Sequence, residues 1–279
     1  MRQLAIACLL FLALPLGAAA TECRFSAQRD FDVDAAALKT LALDLAASDV
    51  WVEGVPGLDK VEVRARACAS RQDWLEALTV EHAVAADRLT VTPKGRDASV
   101  NISLLGSSYA WIELRIRVPQ RLAVAVTTGA GDADVRKVAA LEFKSGSGDL
   151  QVHDIAGAVV LALGSADASG ANIGSLELRA MASGDVDLRQ IRGDAKLGPI
   201  GSGDVVLDGV GGKVSAESVG SGDLELTHVT GDVQLESIGS GDLRVRDVGG
   251  NLRVARHGSG DIDYRDVRGK VELPGLNDE

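Results

Sequence analysis

The sequence lacks the features that would indicate a nucleic-acid-binding or integral membrane protein. Lys and Arg are spread along the 279 residues without a cluster, and the formal net charge is −11. Dispersed positive charge in an acidic chain argues against partners with an anionic backbone or surface, so we expect no nucleic acid among its partners. One apolar run, Leu4 to Leu16, is followed by no second run, so we expect no membrane span in the remaining chain.

Recognisable catalytic motifs are also missing. The sequence contains no Gly-x-Ser-x-Gly, no His-Glu-x-x-His and no phosphate-binding loop. Its four histidines are scattered, and the three within the repeat described below occupy three different positions of that repeat. Scattered histidines do not supply the converging ligands that a metal needs. We therefore expect no catalytic residue, no metal site and no cofactor.

Cysteine is scarce, with three residues in the chain. One of them, Cys8, lies in an N-terminal segment that is typical of a secretory signal peptide, namely Met1-Arg2, the apolar run and then Gly17-Ala18-Ala19-Ala20. We expect residues 1–20 to be removed by cleavage after Ala20 and the mature chain to be exported, to the periplasm or outside the cell. Cys23 and Cys68 would remain as one disulfide or as two buried thiols, and the export signal favours the disulfide.

An aspartate recurs at a nearly fixed interval in Gly-x-Gly-Asp or similar turns. The spacings are 17, 18 and 18 residues and then 19 residues four times. The aspartates of this series are Asp132, Asp149, Asp167, Asp185, Asp204, Asp223, Asp242 and Asp261. A period of this kind predicts stacked structural units.

Aliphatic residues occupy fixed positions within each unit. The sixth residue after the aspartate is Val or Ile in all eight copies, from Val138 through Val210, Val229 and Val248 to Val267. Short alternating runs bounded by Gly indicate strands, two per unit, and no helical period survives in this region. The sequence predicts an all-β fold, a single-chain parallel β-solenoid whose coils of about 19 residues stack in register about 4.8 Å apart, with its handedness left open. A left-handed hexapeptide helix does not fit, because counting six residues on from Leu235 reaches Gly241.

The Gly-Ser-Gly-Asp motif is expected to form a corner of each coil. Gly would supply a positive φ there, and the Ser and Asp side chains would accept backbone hydrogen bonds. Stacked carboxylates would repel by about 0.9 kcal/mol per neighbouring pair at bulk-water dielectric. They must therefore face solvent, accept backbone hydrogen bonds or share cations. Calcium is disfavoured, because the Gly-Gly-x-Gly-x-Asp spacing of calcium-binding solenoids is not met.

The chain divides into an irregular and a regular part. Residues 21–125 contain strand-like runs without the strict repeat and predict irregular coils or a cap, whereas residues 126–279 hold the regular coils and a short tail. Solenoid ends need covering, and we expect residues 22–41 at one end and residues 273–279 at the other. One unit, residues 164–180, carries Ala168 and Gly170 where larger residues belong, so that coil should be thin or bulged.

Aromatic residues make up 3% of the chain, and all three Trp precede residue 112. In the runs around them, aliphatic residues alternate toward the interior, which turns Trp51, Tyr109 and Trp111 to the outside. Exposed Trp and Tyr on a flat β-face can stack on sugar rings or mark a protein contact. These three residues are the predicted ligand-binding residues. The alternative is that a loop or the N-terminal segment covers them.

A run of motifs resembles one known family. "IELRIRVP" is followed by "TTGAGDADV" and by serial "GSGDL" units. This series is similar to a bacterial exported family of unknown function, whose members are called "putative adhesins" and carry Gly-Ser-Gly-Asp β-strand repeats. The resemblance covers roughly residues 35–272. It implies a solenoid-like fold and an envelope location, and it transfers no catalytic residues.

These observations favour an exported, non-enzymatic β-solenoid that acts as an adhesin-like binding or structural module of the envelope, with a glycan or an envelope protein as its partner. One alternative is a polysaccharide-active β-helix enzyme, which would need a carboxylate cluster in a groove near Asp167. Another is an interaction partner in an envelope-stress system, for which the chain carries no distinguishing motif.

Overall fold

Strands dominate the structure, a computed structural model that describes residues 23–95, 102–103 and 106–274. The predicted signal peptide, residues 1–20, lies outside the described residues, as do residues 275–279 of the predicted tail. The described part of the chain contains one short helix, α1, which spans Gln72–Ala77. Among the described residues, no helix has both the length and the apolar composition to cross a membrane.

Within the described residues, eleven strands precede the regular repeat. They are β1 Phe25–Gln28, β2 Phe31–Asp34, β3 Thr40–Ala46, β4 Asp49–Val55, β5 Lys60–Ala69, β6 Thr79–Ala85, β7 Arg88–Lys94, β8 Ile102–Ser103, β9 Gly106–Ser107, β10 Ala110–Pro119 and β11 Ala123–Thr128.

The repeat region forms the remaining strands, most of them six residues long. They are β12 Ala133–Arg136, β13 Ala140–Ser145, β14 Leu150–Leu163, β15 Ala168–Met181, β16 Val186–Ile191, β17 Ala195–Ile200, β18 Val205–Val210, β19 Val214–Val219, β20 Leu224–Val229, β21 Val233–Ile238, β22 Leu243–Val248, β23 Leu252–Val254, β24 Ile262–Val267 and β25 Val271–Glu272.

The strands form two parallel stacks that share one core. The first stack runs β10-β4-β12-β14-β15-β16-β18-β20-β22-β24, and the second runs β7-β3-β11-β13-β14-β15-β17-β19-β21-β23-β25. The long strands β14 and β15 contribute to both stacks. This arrangement is a parallel β-solenoid of about eight turns with a spacing of about 19 residues, and the predicted fold is confirmed.

The aliphatic columns stack in register as the repeat predicts. Val210 pairs with Val229, Val229 with Val248, and Val248 with Val267. Val210, Val229 and Val248 are no more than 1% exposed. Burial of branched side chains on top of one another makes the core continuous from coil to coil.

The N-terminal strands enlarge the solenoid and also close one end. β7 pairs with β3 and β10 pairs with β4, so β7 and β10 form a coil that lies further from the repeat than the coil of β3 and β4. After β10 the chain therefore has to pass the coil of β3 and β4 to reach β11, which pairs with the other edge of β3. Antiparallel strands then cover the end, with β5 on β10, β1 and β2 on β5, and β6 on β7. A disulfide joins Cys23, just before β1, to Cys68 in β5, with 5.5 Å between the Cα atoms.

The motif glycines are needed for close stacking and not for the positive φ that the sequence suggested. Of the described glycines, those with positive φ are Gly57, Gly170 and Gly209, and none belongs to a Gly-x-Gly-Asp motif. A Cβ on the glycine before the aspartate would instead lie 1.8–2.2 Å from a carbonyl oxygen of the preceding coil, and this holds at Gly131, Gly148, Gly184, Gly203, Gly222, Gly241 and Gly260, whereas Ala166 takes this position in the remaining coil. Glycine thus lets seven of the eight coils approach the preceding coil this closely at the corner.

The left-handed turn of each coil lies elsewhere, at the fifth residue after the aspartate. There φ lies between 51° and 60° at Lys137, Asp154, Asn172, Gln190, His228, Asp247 and Asp266, and it is 81° at Gly209. Asn and Asp tolerate this conformation better than other residues with a Cβ, and four of these eight positions use them. The turn directs the following Val or Ile into the core.

The aspartates of the motif form a continuous hydrogen-bonded ladder. Oδ1 of each aspartate accepts the backbone N–H of the equivalent aspartate in the next coil at 2.8–3.0 Å, from Asp132 to Asp261. The ladder begins at Asp49, which accepts the N–H of Asp132 at 3.0 Å and which the repeat did not reveal. Of the arrangements that the sequence left open for these carboxylates, the acceptance of backbone hydrogen bonds is the one that the structure shows.

The coil at residues 164–180 is not bulged where the small residues lie. Ala168 and Gly170 pair in register with both neighbouring coils. The register shift falls later, where Ile173 and Ser175 of β15 lie opposite Ile155 and Ala158 of β14. The small inward residues are accommodated by close approach, since a Cβ on Gly170 would lie 1.8 Å from the carbonyl oxygen of Val152.

We expect Gly241→Ala to lower the free energy of unfolding by about 2–3 kcal/mol, because the new Cβ would lie 1.8 Å from the Gly222 carbonyl oxygen and would force two coils apart. Denaturant unfolding measures the change. Ser240→Ala is the matched control, since the Ser240 hydroxyl is exposed and its loss should change stability by less than about 0.5 kcal/mol. Equal stability of the two variants would contradict the close-stacking explanation.

Asp223 should make folding acid-sensitive. Its pKa lies below the ordinary 3.8, because its carboxylate accepts hydrogen bonds from the Asp242 backbone and the Arg244 guanidinium. A lowered pKa means that the stabilisation is complete above pH 3.8 and is lost as the pH falls through the folded-state pKa.

Unfolding at a series of pH values therefore should show a smaller loss of stability on acidification in Asp223→Asn than in the unmodified chain. Asp223→Ala also removes the acceptor of the Asp242 N–H and should be less stable than Asp223→Asn at neutral pH, by about 1 kcal/mol. Identical pH profiles for Asp223→Asn and the unmodified chain would show that the hydrogen-bonded Asp223 carboxylate is not the source of the acid sensitivity.

Candidate functional site

Trp51 is the large aromatic side chain most clearly presented to solvent. It lies in the middle of β4 and is 43% exposed, whereas its neighbours Val50 and Val52 are 1% exposed. Among the described residues, the other large hydrophobic side chains with comparable exposure are Val84 and Tyr264. The alternation of the strand thus places an indole ring on the outer face of the first stack.

The guanidinium of Arg115 stacks on one face of the Trp51 ring. Arg115 lies opposite Trp51 in the register between β10 and β4, and its guanidinium carbon is 5.0 Å from the centre of the indole ring. Arg115 is itself held by Glu113, with an N–O distance of 2.9 Å. Because a guanidinium stacked on one face restricts the ring, the other face of Trp51 is presented in a defined orientation.

Two adjoining depressions meet at Trp51. The smaller, of about 290 Å³, has acidic and amide groups among its lining residues, namely Asp49, Asp132, Asp134, Asp149 and Gln151. The larger, of about 730 Å³, extends along the strands and is lined by residues of both signs, namely Glu53, Arg115, Arg117, Asp134, Arg136, Lys137, His153 and Asp154. We call this surface around the indole ring the Trp51 platform.

The positive charges of the platform are paired within the protein. Arg136 contacts Asp134 at 2.6 Å, and this hydrogen bond raises the pKa of Arg136. Lys137 contacts Glu53 at 3.2 Å. Since exposed pairs such as these contribute little to stability, they serve mainly to hold donors and acceptors in place on the surface.

Beyond the platform the outward side chains of the first stack become short. Along the strand register, Asp134 is followed by Gln151 and then Ser169, and Arg136 is followed by His153 and then Ala171. The next coil rises again with Asp187 and Arg189, which form an ion pair at 3.1 Å. Ser169 and Ala171 therefore form the floor of a shallow trough between Gln151 and His153 on one side and the Asp187–Arg189 pair on the other. The small inward residues of this coil follow from the repeat, whereas the small outward ones, Ser169 and Ala171, were not predicted from the sequence.

The structure does not bring the three predicted aromatic residues together. Trp111 is half-buried, lies opposite Cys68 in the register with β5 and has the Arg66 guanidinium 5.9 Å from its ring centre. It precedes Arg115 by four residues on the same strand, which separates it from the platform by about 13 Å. Tyr109 is also half-buried, and its hydroxyl accepts the backbone N–H of Arg24 at 3.1 Å.

Asp167 is used structurally. Its Oδ1 accepts the N–H of Asp185 at 2.9 Å, and its own N–H donates to Asp149 at 2.9 Å. Among the carboxyl groups that the structure describes, the pKa values that depart from the ordinary range are lowered, at Asp32, Asp73, Asp87 and Asp223, by hydrogen bonds from cations or the backbone. A lowered pKa keeps these groups ionised, whereas a general acid needs a raised pKa.

One histidine carries a displaced pKa. His228 Nδ1 lies 2.7 Å from Asp208 Oδ1, and this contact raises the pKa of the imidazole. The pair bridges neighbouring coils on the exposed surface. Within the described residues, no group of three or more His, Cys, Asp or Glu side chains is arranged to hold a metal ion.

Comparisons with known proteins agree with this architecture. The family model described as Toastrack DUF4097 matches residues 76–274, and no curated protein matches the chain. The crystal structure of a "putative adhesin" from Parabacteroides distasonis is 16% identical over 86% of this chain and 97% of that chain, with a TM-score of 0.55, so the two share a fold. A "putative adhesin" from Bacteroides fragilis is 15% identical over 89% of this chain and 97% of that chain, with a TM-score of 0.39.

Proposed function

The chain belongs to the Toastrack DUF4097 family, and we propose that it is a non-enzymatic, adhesin-like binding module that is exported to the cell envelope, in the periplasm or outside the cell. The N-terminal residues 1–20 support export, because they combine a basic start, a short apolar run and an Ala-x-Ala end. The Cys23–Cys68 disulfide is consistent with an oxidising compartment.

The observation that carries the binding role is the exposed Trp51 ring on a regular, rigid surface. Trp51 is oriented by Arg115 and lies beside polar side chains that are already held by ion pairs. A site with fixed donors and one free aromatic face needs little ordering when it binds a ligand. In a surface otherwise made mainly of charged and polar side chains, the indole ring is the natural anchor.

The chemistry of the platform favours an extended, uncharged polysaccharide. A sugar ring offers an apolar C–H face to Trp51 and hydroxyl groups to Gln151, His153 and Ser169. Because Arg136 and Lys137 are paired with carboxylates, the described residues of the platform present no uncompensated positive patch that would select an acidic glycan. The trough floored by Ser169 and Ala171 gives such a chain room to continue along the stack. An envelope protein is the second ligand class that such a face could take.

Trp51→Ala should weaken glycan binding at least about tenfold, because it removes the exposed indole ring of the platform while leaving the strand intact. A glycan array identifies the ligand, and titration calorimetry of the mature protein then measures the loss. Trp111→Ala is the matched control, since it makes the same change on the same face outside the platform and should leave the affinity unchanged. If Trp51→Ala binds as tightly as the unmodified protein, the platform is not the site.

Export makes a separate prediction. Protein recovered from the periplasm or the medium should begin at Thr21, because cleavage is expected after Ala20. Intact-mass measurement identifies this end directly. Recovery of the whole protein from the cytoplasm, with residues 1–20 still attached, would contradict the envelope location.

A further inference from the structure

The two ends of the solenoid differ in their protection. At the N-terminal end, antiparallel strands cover both stacks. At the other end, β24 pairs with β22 on one side, and no strand among the described residues pairs with its other side. β24 and β25 are therefore the last strands of the two stacks that the structure describes.

Side chains that are buried in the preceding coil are uncovered in β24. Val245 is 0% exposed, whereas its register partner Tyr264 is 39% exposed. Ile262 and Val267 are only half-buried, although the equivalent Leu243 and Val248 are fully buried. An open strand edge with an uncovered apolar end favours the addition of another strand.

The backbone of β24 has a fixed pattern of free groups. Leu243 N–H donates to the carbonyl oxygen of Asp261, so the peptide groups of residues 261, 263 and 265 face β22. The N–H and C=O groups of Ile262 and Tyr264 consequently point away from the solenoid. These are the groups that an added strand would use.

We propose that the chain forms a tail-to-tail dimer in which β24 pairs antiparallel with β24 of a second copy, about a two-fold axis at Tyr264. In this register the two Tyr264 residues lie opposite each other and exchange two backbone hydrogen bonds, using the groups that point outward. A two-fold axis perpendicular to the sheet keeps inward side chains inward. The two phenol rings therefore close the exposed ends of both cores.

Charge complementarity favours a second copy over other occupants of this edge. With Tyr264 on the axis, Asp263 of one copy lies opposite Arg265 of the other, and Arg265 lies opposite the second Asp263. Both side chains are exposed on the outer face, where Arg265 contacts Asp263 of its own strand at 3.6 Å. The Asp-Tyr-Arg sequence is thus self-complementary in the antiparallel direction, and non-hydrogen-bonded pairs of this kind bring side chains close together.

The test exchanges these charges. Asp263→Arg places two positive side chains opposite each other at both symmetric positions, and Arg265→Asp places two negative ones there. Each variant alone should raise the dimer dissociation constant at least about tenfold, as measured by sedimentation equilibrium on the full chain.

An equimolar mixture of the two variants distinguishes a docking effect from a folding effect. In a mixed pair, each Arg of one chain faces an Asp of the other, so heterodimers should form with nearly the original affinity. Recovery of affinity in the mixture cannot come from the Asp263–Arg265 ion pair within one strand, because each variant chain carries like charges at residues 263 and 265 and has lost that pair. Circular dichroism should show that both variants retain the β-fold.

Three results would overturn the proposal. The first is an unmodified chain that is monomeric at every concentration, which would leave the edge to solvent or to residues 275–279. The second is unimpaired dimerisation of either single variant. The third is two monomeric variants that fail to associate when mixed, because the loss would then come from damage to the strand. None of these results depends on the Trp51 platform.

Discussion

The contact between equivalent corners of neighbouring coils is the constraint on which the rest of the molecule depends. At seven of the eight corners, a glycine lies so close to the carbonyl oxygen of the preceding coil that no Cβ fits between them, as at Gly222 and Gly241. The following aspartate accepts the backbone N–H of the next corner. This combination fixes both the distance between coils and their register, and it satisfies backbone donors that would otherwise lack a partner.

A fixed register at the corner determines what happens on both sides of the strands. On the inside, branched residues such as Val210 and Val229 meet in continuous columns. On the outside, the same register places Trp51, Asp134, Gln151 and Ser169 in one row across four coils. The binding surface is therefore a consequence of the stacking, and its rigidity comes from the core beneath it.

Stacking also creates open strand edges, and the two ends of the solenoid differ in how these edges are covered. The disulfide and the antiparallel strands β1, β2, β5 and β6 close the N-terminal end. The other end presents Tyr264 on an unpaired edge of the described strands. A parallel solenoid has no internal means of ending, because each coil offers the next one a complete set of hydrogen-bonding groups.

The sequence by itself determined the period, the parallel stacking and the inward columns. Similar aliphatic residues that recur at a fixed interval bury their side chains best when equivalent residues of neighbouring coils stack on one another. It pointed to Trp51 through strand alternation, but it grouped Trp51 with Tyr109 and Trp111, which the fold places apart. Only the tertiary structure decided that Asp49 begins the ladder, that the motif glycines serve close approach and that the left-handed turn lies five residues after the aspartate. These features depend on distances between coils, and a sequence records the order of residues along one coil and not the gap to the next.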